Sequence, residues 1–468
     1  MKILNPFFNI ILVDFNYVRK GDFFMFDNSI RKHLSSFRVI TIGFGGLIIL
    51  GALLLMLPVS SASGCVTPFS DALFTSTSAV CVTGLVVLDT GSYWSVFGQV
   101  VILLLIQIGG LGVVTVAVSV FMLSGRKISL MQRSTMQNAI SAHKVGGIVR
   151  LTKFILKGTL FVEMAGALAL LPVFYHDFGR KGIWMAVFHS ISAFCNAGFD
   201  ILGTPTNPFP SITAYAGNPI VNVVIMFLII AGGIGFLTWE DICINKTHFR
   251  KYHMQSKIIV VTTALLIVLP AVFFFFSDFT HLSVGKRLLA SAFQAVTPRT
   301  AGFNTMDISK MTEVSKAMII ILMLVGGSPS STAGGMKTTT FAVLILNAFA
   351  TFRSQENVET FGRRIEWSVI KNASTIAMMY CMLFLCGGIT ISVYEGLPLL
   401  ECLYEAASAV GTVGLTLGIT PKLHIVSQFI LIILMYLGRV GGLTLIYAVL
   451  SKKKKGNARL PLEKITVG

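Results

Sequence analysis

The sequence predicts an all-α polytopic membrane protein built from four helix–re-entrant pore helix–helix repeats around a central pore, with eight full transmembrane crossings. Three observations support this fold class: an apolar composition, uncharged windows long enough to span a bilayer, and four related glycine segments at nearly equal spacing. Apolar residues form 54% of the 468-residue chain and charged residues only 12%. The charged share is about half that of a typical soluble domain, which indicates a fold surrounded by lipid.

Several windows of roughly 20 residues contain almost no charge and are long enough to cross a hydrocarbon core of about 30 Å. They include residues 37–57, 100–123, 219–237, 258–276, 376–393 and 425–450. The positive charges alternate with the windows, because five segments on one side carry 27 Lys and Arg and the four intervening segments carry 8. The positive-inside rule therefore predicts that both termini are cytoplasmic and that the number of crossings is even.

The same charge pattern argues against several other classes of protein. The net charge of +17 is not gathered on one soluble surface, as nucleic-acid binding requires. The seven cysteines are scattered and give no disulfide framework or metal-ligand spacing. A membrane-embedded enzyme would need a paired His/Asp/Glu or Cys/His constellation, and none stands out. A transporter with inverted repeats would place its halves in opposite orientations, whereas the charge pattern gives all four units one direction.

Four short segments resemble one another, and each carries a glycine near its end in a similar hydrophobic setting. They are residues 78–85 (SAVCVTGL), 192–199 (SAFCNAGF), 297–303 (TPRTAGF) and 408–415 (SAVGTVGL). Their glycines, Gly84, Gly198, Gly302 and Gly414, lie 114, 104 and 112 residues apart. A nearly fixed period indicates a repeated structural unit.

Each unit is predicted to contain an apolar helix, a shorter helix that ends at the glycine loop, and a second apolar helix that returns. In the first unit these are residues 37–57, 68–80 and 97–123, with Thr67 as the cap of the short helix and Pro68 in its first turn. The short helix cannot span, so its backbone must be buried in protein or line water. The units cover residues 37–124, 153–238, 257–350 and 369–450, between a cytoplasmic N-terminal segment (1–36) and a basic cytoplasmic tail (451–468).

The four glycine loops are predicted to bind a dehydrated cation, because backbone carbonyl oxygens can replace its lost water without a fixed negative charge. Glycine adopts the backbone angles that such a loop needs, and the negative C-terminal ends of the short helices would favour a cation. The plain alternative is an ordinary glycine turn between two helices. The candidate filter residues are Val82, Thr83, Gly84, Asn196, Ala197, Gly198, Thr300, Ala301, Gly302, Thr412, Val413 and Gly414.

A pair of small residues follows each loop, and the third and fourth pairs differ from the others. Gly109-Gly110, Gly232-Gly233, Gly326-Gly327 and Gly438-Arg439 begin 25, 34, 24 and 24 residues after their loop glycines. Small residues at such positions let helices approach closely. The third pair opens a stretch rich in glycine that also contains a proline, and this composition predicts that the third return helix is interrupted. The fourth pair contains Arg439, an intramembrane charge.

A loop beside the filter can act as a gate, with a static proline kink as the alternative. A guanidinium beside a pore would raise a barrier to cations and pair with loop carbonyls. About ten apolar or small residues separate Arg439 from Lys452, which argues against snorkelling, whereas Lys337 is near enough to the end of the stretch to reach the interface. The candidate gating residues are Gly326, Gly327, Ser328, Pro329, Ser330, Ser331, Thr332, Gly334, Gly335, Lys337 and Arg439, and the loop is assigned to residues 326–338.

Over about residues 37–450 the chain resembles the Trk/Ktr/HKT superfamily of potassium-translocating membrane subunits. The most specific passages are residues 326–340 (GGSPSSTAGGMKTTT), which are similar to the family's intramembrane gating loop, and residues 297–305 (TPRTAGFNT). Trk subunits usually carry two further N-terminal spans, which this sequence lacks, so the chain looks more like a Ktr-type subunit.

The resemblance implies potassium uptake across the plasma membrane, with K⁺ as the transported ion, Na⁺ as a candidate coupling ion and no covalently bound cofactor. Serine in place of the first filter glycine accompanies sodium preference in the superfamily, so the four glycines favour potassium. Sodium or non-selective monovalent cation transport is the nearest alternative. The resemblance also implies a homodimer and a cytosolic nucleotide-binding regulatory subunit of the RCK/KTN type on the basic face.

Overall fold

The structure, a computed structural model, describes residues 36–123, 135–137 and 147–441. This part of the chain is mostly helical, as the sequence predicts. The predictions for residues 1–35, for residues 442–450 at the end of the fourth unit, and for the basic tail at 451–468 lie outside the described residues.

A long helix is followed by a short helix and then by a helix that breaks or ends at a glycine, and this order recurs along the chain. The first unit contains α1 (Ser36–Leu55), α2 (Phe69–Cys81), α3 (Val96–Leu111) and α4 (Val113–Leu123). The second contains α5 (Ile148–Phe178), α6 (Lys181–Phe194), α7 (Pro219–Gly233) and α8 (Phe236–Asn245). The third contains α9 (Met254–Ser277), α10 (Val284–Val296), α11 (Glu313–Leu324) and α12 (Thr338–Phe352). The fourth contains α13 (Trp367–Glu395), α14 (Leu399–Gly411) and α15 (Ile425–Val440), after a hairpin of β1 (Glu359–Thr360) and β2 (Arg363–Arg364).

Four of the described helices have the length and hydropathy of a membrane span. They are α1, α5, α9 and α13, and the pair α7 and α8, bent by 99°, makes a fifth if the two are counted as one span. Shorter apolar helices are α3, α12 and α15. Large apolar side chains stay exposed on the long helices, such as Phe161 on α5 at 74% and Leu269 on α9 at 63%. Such surfaces suit a lipid environment.

Polar caps define where the return helices begin. Ser95, Asn218 and Thr312 each accept a hydrogen bond from a backbone amide in the first turn of α3, α7 and α11. The short helix α2 differs from the prediction, because its N-cap is Pro68 without a side-chain cap, and the hydroxyl of Thr67 instead accepts a hydrogen bond from Tyr93.

In the third and fourth units, a carboxylate at the end of the long helix binds the start of the return helix. Asp278 follows α9 and accepts hydrogen bonds from the Thr312 amide at 3.0 Å and from the Ser315 hydroxyl. Burial raises the pKa of Asp278, but these bonds and one from Ser277 outweigh it, so the pKa lies below its ordinary value. Glu395, the last residue of α13, likewise accepts from the His424 amide at 2.9 Å.

Interruption is not confined to the third unit, where it was predicted, because every described return helix breaks or ends within two residues of its small-residue pair. The predicted continuous helix at 97–123 breaks at Gly112, the window at 219–237 breaks at Gly235, and α15 ends before Gly441. The φ angles of these glycines are +87°, +95° and +85°, a left-handed backbone that only glycine adopts without strain. A single glycine in an uncharged window therefore ends a helix here, although the window is long enough to span.

The helices close into a ring around one axis. Each long helix packs on the short helix of its own unit. Each return helix also packs on the short helix of the next unit: α3 on α6, α7 on α10, α11 on α14, and α15 back on α2. Close packing requires glycine, because a Cβ at Gly109, Gly232 or Gly438 would overlap the carbonyl oxygen of Val80, Phe194 or Val410 on a short helix.

Candidate functional site

The four glycine loops, called the filter loops, comprise residues 82–84, 196–198, 300–302 and 412–414. All twelve residues are buried. The backbone of each loop enters the left-handed region twice, at the glycine and two residues before it. The φ values are +56° and +94° for Val82 and Gly84, +58° and +68° for Asn196 and Gly198, +67° and +77° for Thr300 and Gly302, and +52° and +91° for Thr412 and Gly414. The loops therefore share a conformation as well as a sequence pattern.

One hydroxyl residue anchors each filter loop to the short helix that leads into it. The four anchors are Ser78, Ser192, Thr297 and Ser408. The backbone carbonyl of each anchor accepts a hydrogen bond from the backbone amide of the residue that precedes the loop glycine. Their side chains act in two ways. Ser78 and Ser408 accept from the glycine amides of their own loops at 3.0 Å, whereas the Ser192 and Thr297 hydroxyls donate to the carbonyls of Phe199 and Phe303.

The filter loops touch one another in a closed cycle. A Cβ added to Gly84 would lie 2.5 Å from the carbonyl oxygen of Ala197, and one on Gly198 would lie 2.8 Å from that of Ala301. A Cβ added to Gly302 would lie 2.5 Å from the carbonyl oxygen of Val413, and one on Gly414 would lie even closer to the carbonyl oxygen of Thr83. Each glycine thus faces the residue before the glycine of the next loop, and the fourth loop closes on the first.

The carbonyl oxygens of the filter loops receive no hydrogen bond from the described part of the chain. Among residues 36–123, 135–137 and 147–441, no backbone or side-chain donor bonds any of the twelve carbonyl oxygens. Buried carbonyls are nearly always paired, and an unpaired one is costly. The short helices end 3, 4, 6 and 3 residues before their loop glycines, which brings the negative ends of their dipoles to the ring. The ring is therefore suited to a cation that supplies the missing partners.

The predicted gating loop, residues 326–338, is bound to the break between α7 and α8. The amides of Ser328 and Thr332 donate to the carbonyls of Gly233 and Gly232, at 2.9 and 3.2 Å. The Phe236 amide at the start of α8 donates to the Ser330 carbonyl at 2.7 Å. The break leaves these backbone groups without partners inside the helix, and they bind the gating loop instead. The interrupted helix of the second unit therefore holds the gating loop of the third unit in place.

Glycines let the gating loop lie directly against the filter. A Cβ on Gly334 would overlap the hydroxyl of Thr412, and one on Gly335 would lie 2.8 Å from the carbonyl oxygen of Gly411. The hydroxyl of Thr332 donates to the carbonyl of Phe194, the last residue of α6, at 3.0 Å. The loop thus contacts the second and fourth filter loops or the helices that lead into them.

Other residues of the gating loop hold its own shape. Gly326 and Gly327 leave no room for a side chain beside Gly334 and Ala333. The Ser328 and Thr338 hydroxyls lie 3.0 Å apart, and the Ser331 hydroxyl donates to the Ser328 carbonyl at 2.7 Å. The hydroxyls of Ser331 and Thr332 therefore each bond a backbone carbonyl, one within the loop and one on α6.

Arg439 joins the gating loop to the first unit. Its guanidinium donates to the carbonyl of Thr332 and to the carbonyls of Gly109 and Gly110, the latter at 3.1 Å. No carboxylate pairs with Arg439 among the described residues. This arginine binds three backbone carbonyls from two other units, so its charge is held beside the ring.

Lys337 does not extend away from the gating loop. Its ammonium group donates to the carbonyl of Ala333 at 2.8 Å and lies 3.4 Å from that of Gly334. A cavity of about 260 Å³ is lined by Lys337, Arg439, Pro329, Ser330 and Gly441, among others. Two cationic side chains therefore face one cavity next to the filter.

Sequence reasoning missed two sets of residues that shape this site. The first is the set of hydroxyl anchors, which were visible as the Ser or Thr that opens each of the four related segments. The second is the glycine three residues after the start of the first, second and fourth small-residue pairs, at Gly112, Gly235 and Gly441. Its recurrence as G-x-x-G is the signal that could have predicted the breaks.

Comparisons with known proteins agree with the fold. A family profile described as TrkH, cation transport protein, matches residues 36–457. The chain is 39% identical to the potassium/sodium uptake protein NtpJ of Enterococcus hirae, over 94% of this chain and 98% of that protein. It is 38% identical to the Ktr system potassium uptake protein B of Bacillus subtilis, over 92% of this chain and 96% of that protein. The crystal structure of the potassium transporter TrkH from Vibrio parahaemolyticus superposes with a TM-score of 0.71 at 18% identity, covering 90% of this chain and 86% of that one, which shows a shared fold.

Proposed function

Because this chain belongs to the TrkH family of cation transport proteins, we propose that it carries out potassium uptake across the plasma membrane through a four-loop carbonyl filter. Membership of a transport family agrees with the sequence-based expectation that the chain is not an enzyme. The names of its relatives, a potassium/sodium uptake protein and a potassium uptake protein, support cation uptake.

The observation that carries the proposal is the closed cycle of filter loops, whose carbonyl oxygens have no donor among the described residues. Four loops in one chain place buried acceptors around an axis, and no fixed negative charge lies among the twelve filter residues. Such a ring can replace the hydration shell of a monovalent cation and still release it.

We propose that the four units at residues 37–124, 153–238, 257–350 and 369–450 make eight full crossings with both termini in the cytoplasm. The alternation of basic segments with apolar windows supports this orientation. The four long helices supply the first crossing of each unit, and the return helices, counted across their breaks, supply the second. Their exposed apolar side chains make the lipid bilayer the surrounding partner.

We propose that residues 326–338 and Arg439 form the gate. The loop lies directly against the filter, and Arg439 bridges it to the first unit. A loop held by backbone hydrogen bonds to the α7–α8 break can remain anchored there while its contact with Arg439 opens. Loss of that contact would also move a positive charge away from the cation pathway.

The name of the Bacillus subtilis relative, a Ktr system protein, supports a multi-component assembly. We therefore propose a cytosolic nucleotide-binding subunit of the RCK/KTN type on the basic cytoplasmic face, and a homodimer in which each chain has its own pore. Association with such a subunit would bias the gate from outside the membrane.

Sodium transport, or use of Na⁺ as a coupling ion, is the second candidate, because the name of the Enterococcus hirae relative includes sodium. Rubidium uptake into proteoliposomes tests both candidates. We expect uptake that is inhibited by K⁺ far more than by Na⁺. Uptake that Na⁺ inhibits as strongly as K⁺ would favour the second candidate, and absence of cation flux would contradict both.

A further inference from the structure

Each short helix carries a buried aromatic residue and a buried polar residue just before its hydroxyl anchor. The aromatic residue lies four positions before the anchor and the polar residue three. The pairs are Phe74-Thr75, Phe188-His189, Phe293-Gln294 and Tyr404-Glu405, and all eight side chains are 0% exposed. A buried polar group is costly unless it is hydrogen-bonded. The hydrogen-bond partners of these four polar residues therefore show how each short helix supports its filter loop.

Glu405 binds the segment that leaves the fourth filter loop. Its carboxylate accepts hydrogen bonds from the Thr416 hydroxyl at 2.5 Å, the Leu417 amide at 3.1 Å and the Thr420 hydroxyl at 2.7 Å. Thr416 is only two residues after Gly414. Three hydrogen bonds to one buried side chain hold this segment against α14.

The corresponding residues of the other units do not bind their loops in this way. Within the described parts of the chain, the Thr75 hydroxyl, the Nε2 atom of His189 and both amide atoms of Gln294 have no hydrogen-bond partner. The Nδ1 atom of His189 lies 2.8 Å from the carbonyl of Met185 on its own helix. Of the four, Glu405 alone holds the segment that follows its own filter loop.

The fourth loop is in contact with both of its neighbours. Gly414 faces the carbonyl of Thr83 in the first loop, and the carbonyl of Val413 faces Gly302 in the third. A displacement of the fourth loop therefore alters two of the four contacts in the ring.

We propose that Glu405 is a positioning residue for ion selection: its carboxylate fixes the exit of the fourth filter loop and thereby sets the spacing of the carbonyl ring. This inference rests on the proposed cation uptake. It assigns the effect to the geometry of three hydrogen bonds, not to the negative charge acting on the ion at a distance.

Three variants of the full-length protein test the inference. Glu405→Ala removes all three hydrogen bonds. Glu405→Gln removes the charge and can keep the bonds, because its carbonyl oxygen accepts from Thr416 and Leu417 while the Thr420 hydroxyl turns to accept from its amide. Gln294→Ala is the matched control, since Gln294 has the same position on α10 and the same burial but no described partner.

The measurements are inhibition of rubidium uptake by K⁺ and Na⁺ in phosphatidylethanolamine/phosphatidylglycerol vesicles, and thermal stabilisation of the purified protein by K⁺ against Na⁺. The second reports ion binding without transport. It therefore decides the role of Glu405 even if the unaltered protein shows no uptake, a result that would contradict the proposed function alone.

We expect Glu405→Ala to lower the preference for K⁺ over Na⁺ by about tenfold or more, in line with the loss of three buried hydrogen bonds. We expect the other two variants to stay within about twofold of the unaltered protein. An unchanged preference in Glu405→Ala overturns the inference. So does an equal loss in Glu405→Gln, which would assign the effect to charge, or in Gln294→Ala, which would assign it to general packing.

If Glu405→Ala fails to fold, Thr420→Val decides the question, because it removes one hydrogen-bond donor while preserving the shape of the side chain. A smaller loss in the same direction is expected, and an unchanged preference in a folded Thr420→Val protein overturns the inference.

Discussion

Replacement of Gly302 by alanine tests whether ion selection depends on contact between neighbouring filter loops. The added Cβ would lie 2.5 Å from the carbonyl oxygen of Val413, on a backbone with φ of +77°. Gly396→Ala is the matched control, because Gly396 has φ of +68° at the end of α13 and no atom within 4 Å of the added Cβ. The two variants share the backbone strain and differ in the contact between loops.

The expected effects follow from the backbone strain and from the contact between loops. A non-glycine residue in the left-handed region costs about 1–2 kcal/mol, and both variants carry that cost. In Gly302→Ala the loops must also separate by about 1 Å before the Cβ and the oxygen reach an ordinary contact distance. A binding site must be held to within about 0.5 Å of its productive geometry. We therefore expect Gly302→Ala to lower rubidium uptake and the preference for K⁺ over Na⁺ by about tenfold or more.

The assay is rubidium uptake into proteoliposomes with K⁺ or Na⁺ as the competitor, together with a thermal melt of each purified variant. Gly396→Ala should lose thermal stability but keep its uptake and its preference to within about twofold. If Gly302→Ala keeps the preference of the unaltered protein, the contact between loops does not control ion selection. If Gly396→Ala loses the preference equally, backbone strain is sufficient and the argument from the ring is wrong.

Three further predictions concern the gate and the loops outside it. Gly235→Ala, whose Cβ would lie 2.5 Å from the carbonyl oxygen of Pro329, should displace the gating loop and change uptake several-fold. Gly112→Ala should not, because the nearest atom to its Cβ is the Thr115 hydroxyl oxygen at 3.7 Å, and equal uptake in both variants would contradict this. Arg439→Ala should raise cation flux in vesicles, because it removes a positive charge and the bridge to the gating loop, and unchanged flux would remove its gating role. The lowered pKa of Asp278 stabilises the fold above the ordinary carboxyl pKa and loses that effect as pH falls through the folded value. The melting temperature should therefore fall below about pH 4, less steeply in Asp278→Asn, and identical pH profiles would show that this carboxylate does not contribute.

The sequence was sufficient to predict the short helices and their loops because their signals are local. The helix expected at residues 68–80 is found at Phe69–Cys81, one residue away at each end. The loop glycines all have positive φ, as expected of positions that only glycine occupies without strain. Apolar windows and their charged flanks likewise depend on neighbouring residues alone.

The breaks in the first, second and fourth return helices were missed because a single glycine hardly changes the length or the mean hydropathy of an apolar window. Residues 97–123 are uncharged and long enough to span, yet Gly112 separates α3 from α4. The prediction treated the third unit as the exception, since only there do proline and several glycines occur together.

Contacts between units could not be predicted from the sequence, because they depend on how the ring closes. Arg439 and Gly109 are 330 residues apart, and the partner of an intramembrane arginine can be any exposed carbonyl nearby. The direction of a hydroxyl hydrogen bond cannot be read from the sequence either. Ser78 and Ser192 open similar segments, but Ser78 accepts from the glycine amide of its loop, whereas Ser192 donates to the carbonyl of Phe199, the residue after its loop.

The contact between the fourth and first filter loops has a consequence for synthesis of the protein. It joins Gly414 to Thr83, from the last and first quarters of the chain, whereas the other three contacts join loops that follow each other. During translation, domains form from the N-terminus onward, so three loops can meet while the ring is still open. The proposed filter therefore closes only after residue 414 has been made, and a chain that stops before it contains only three of the four loops.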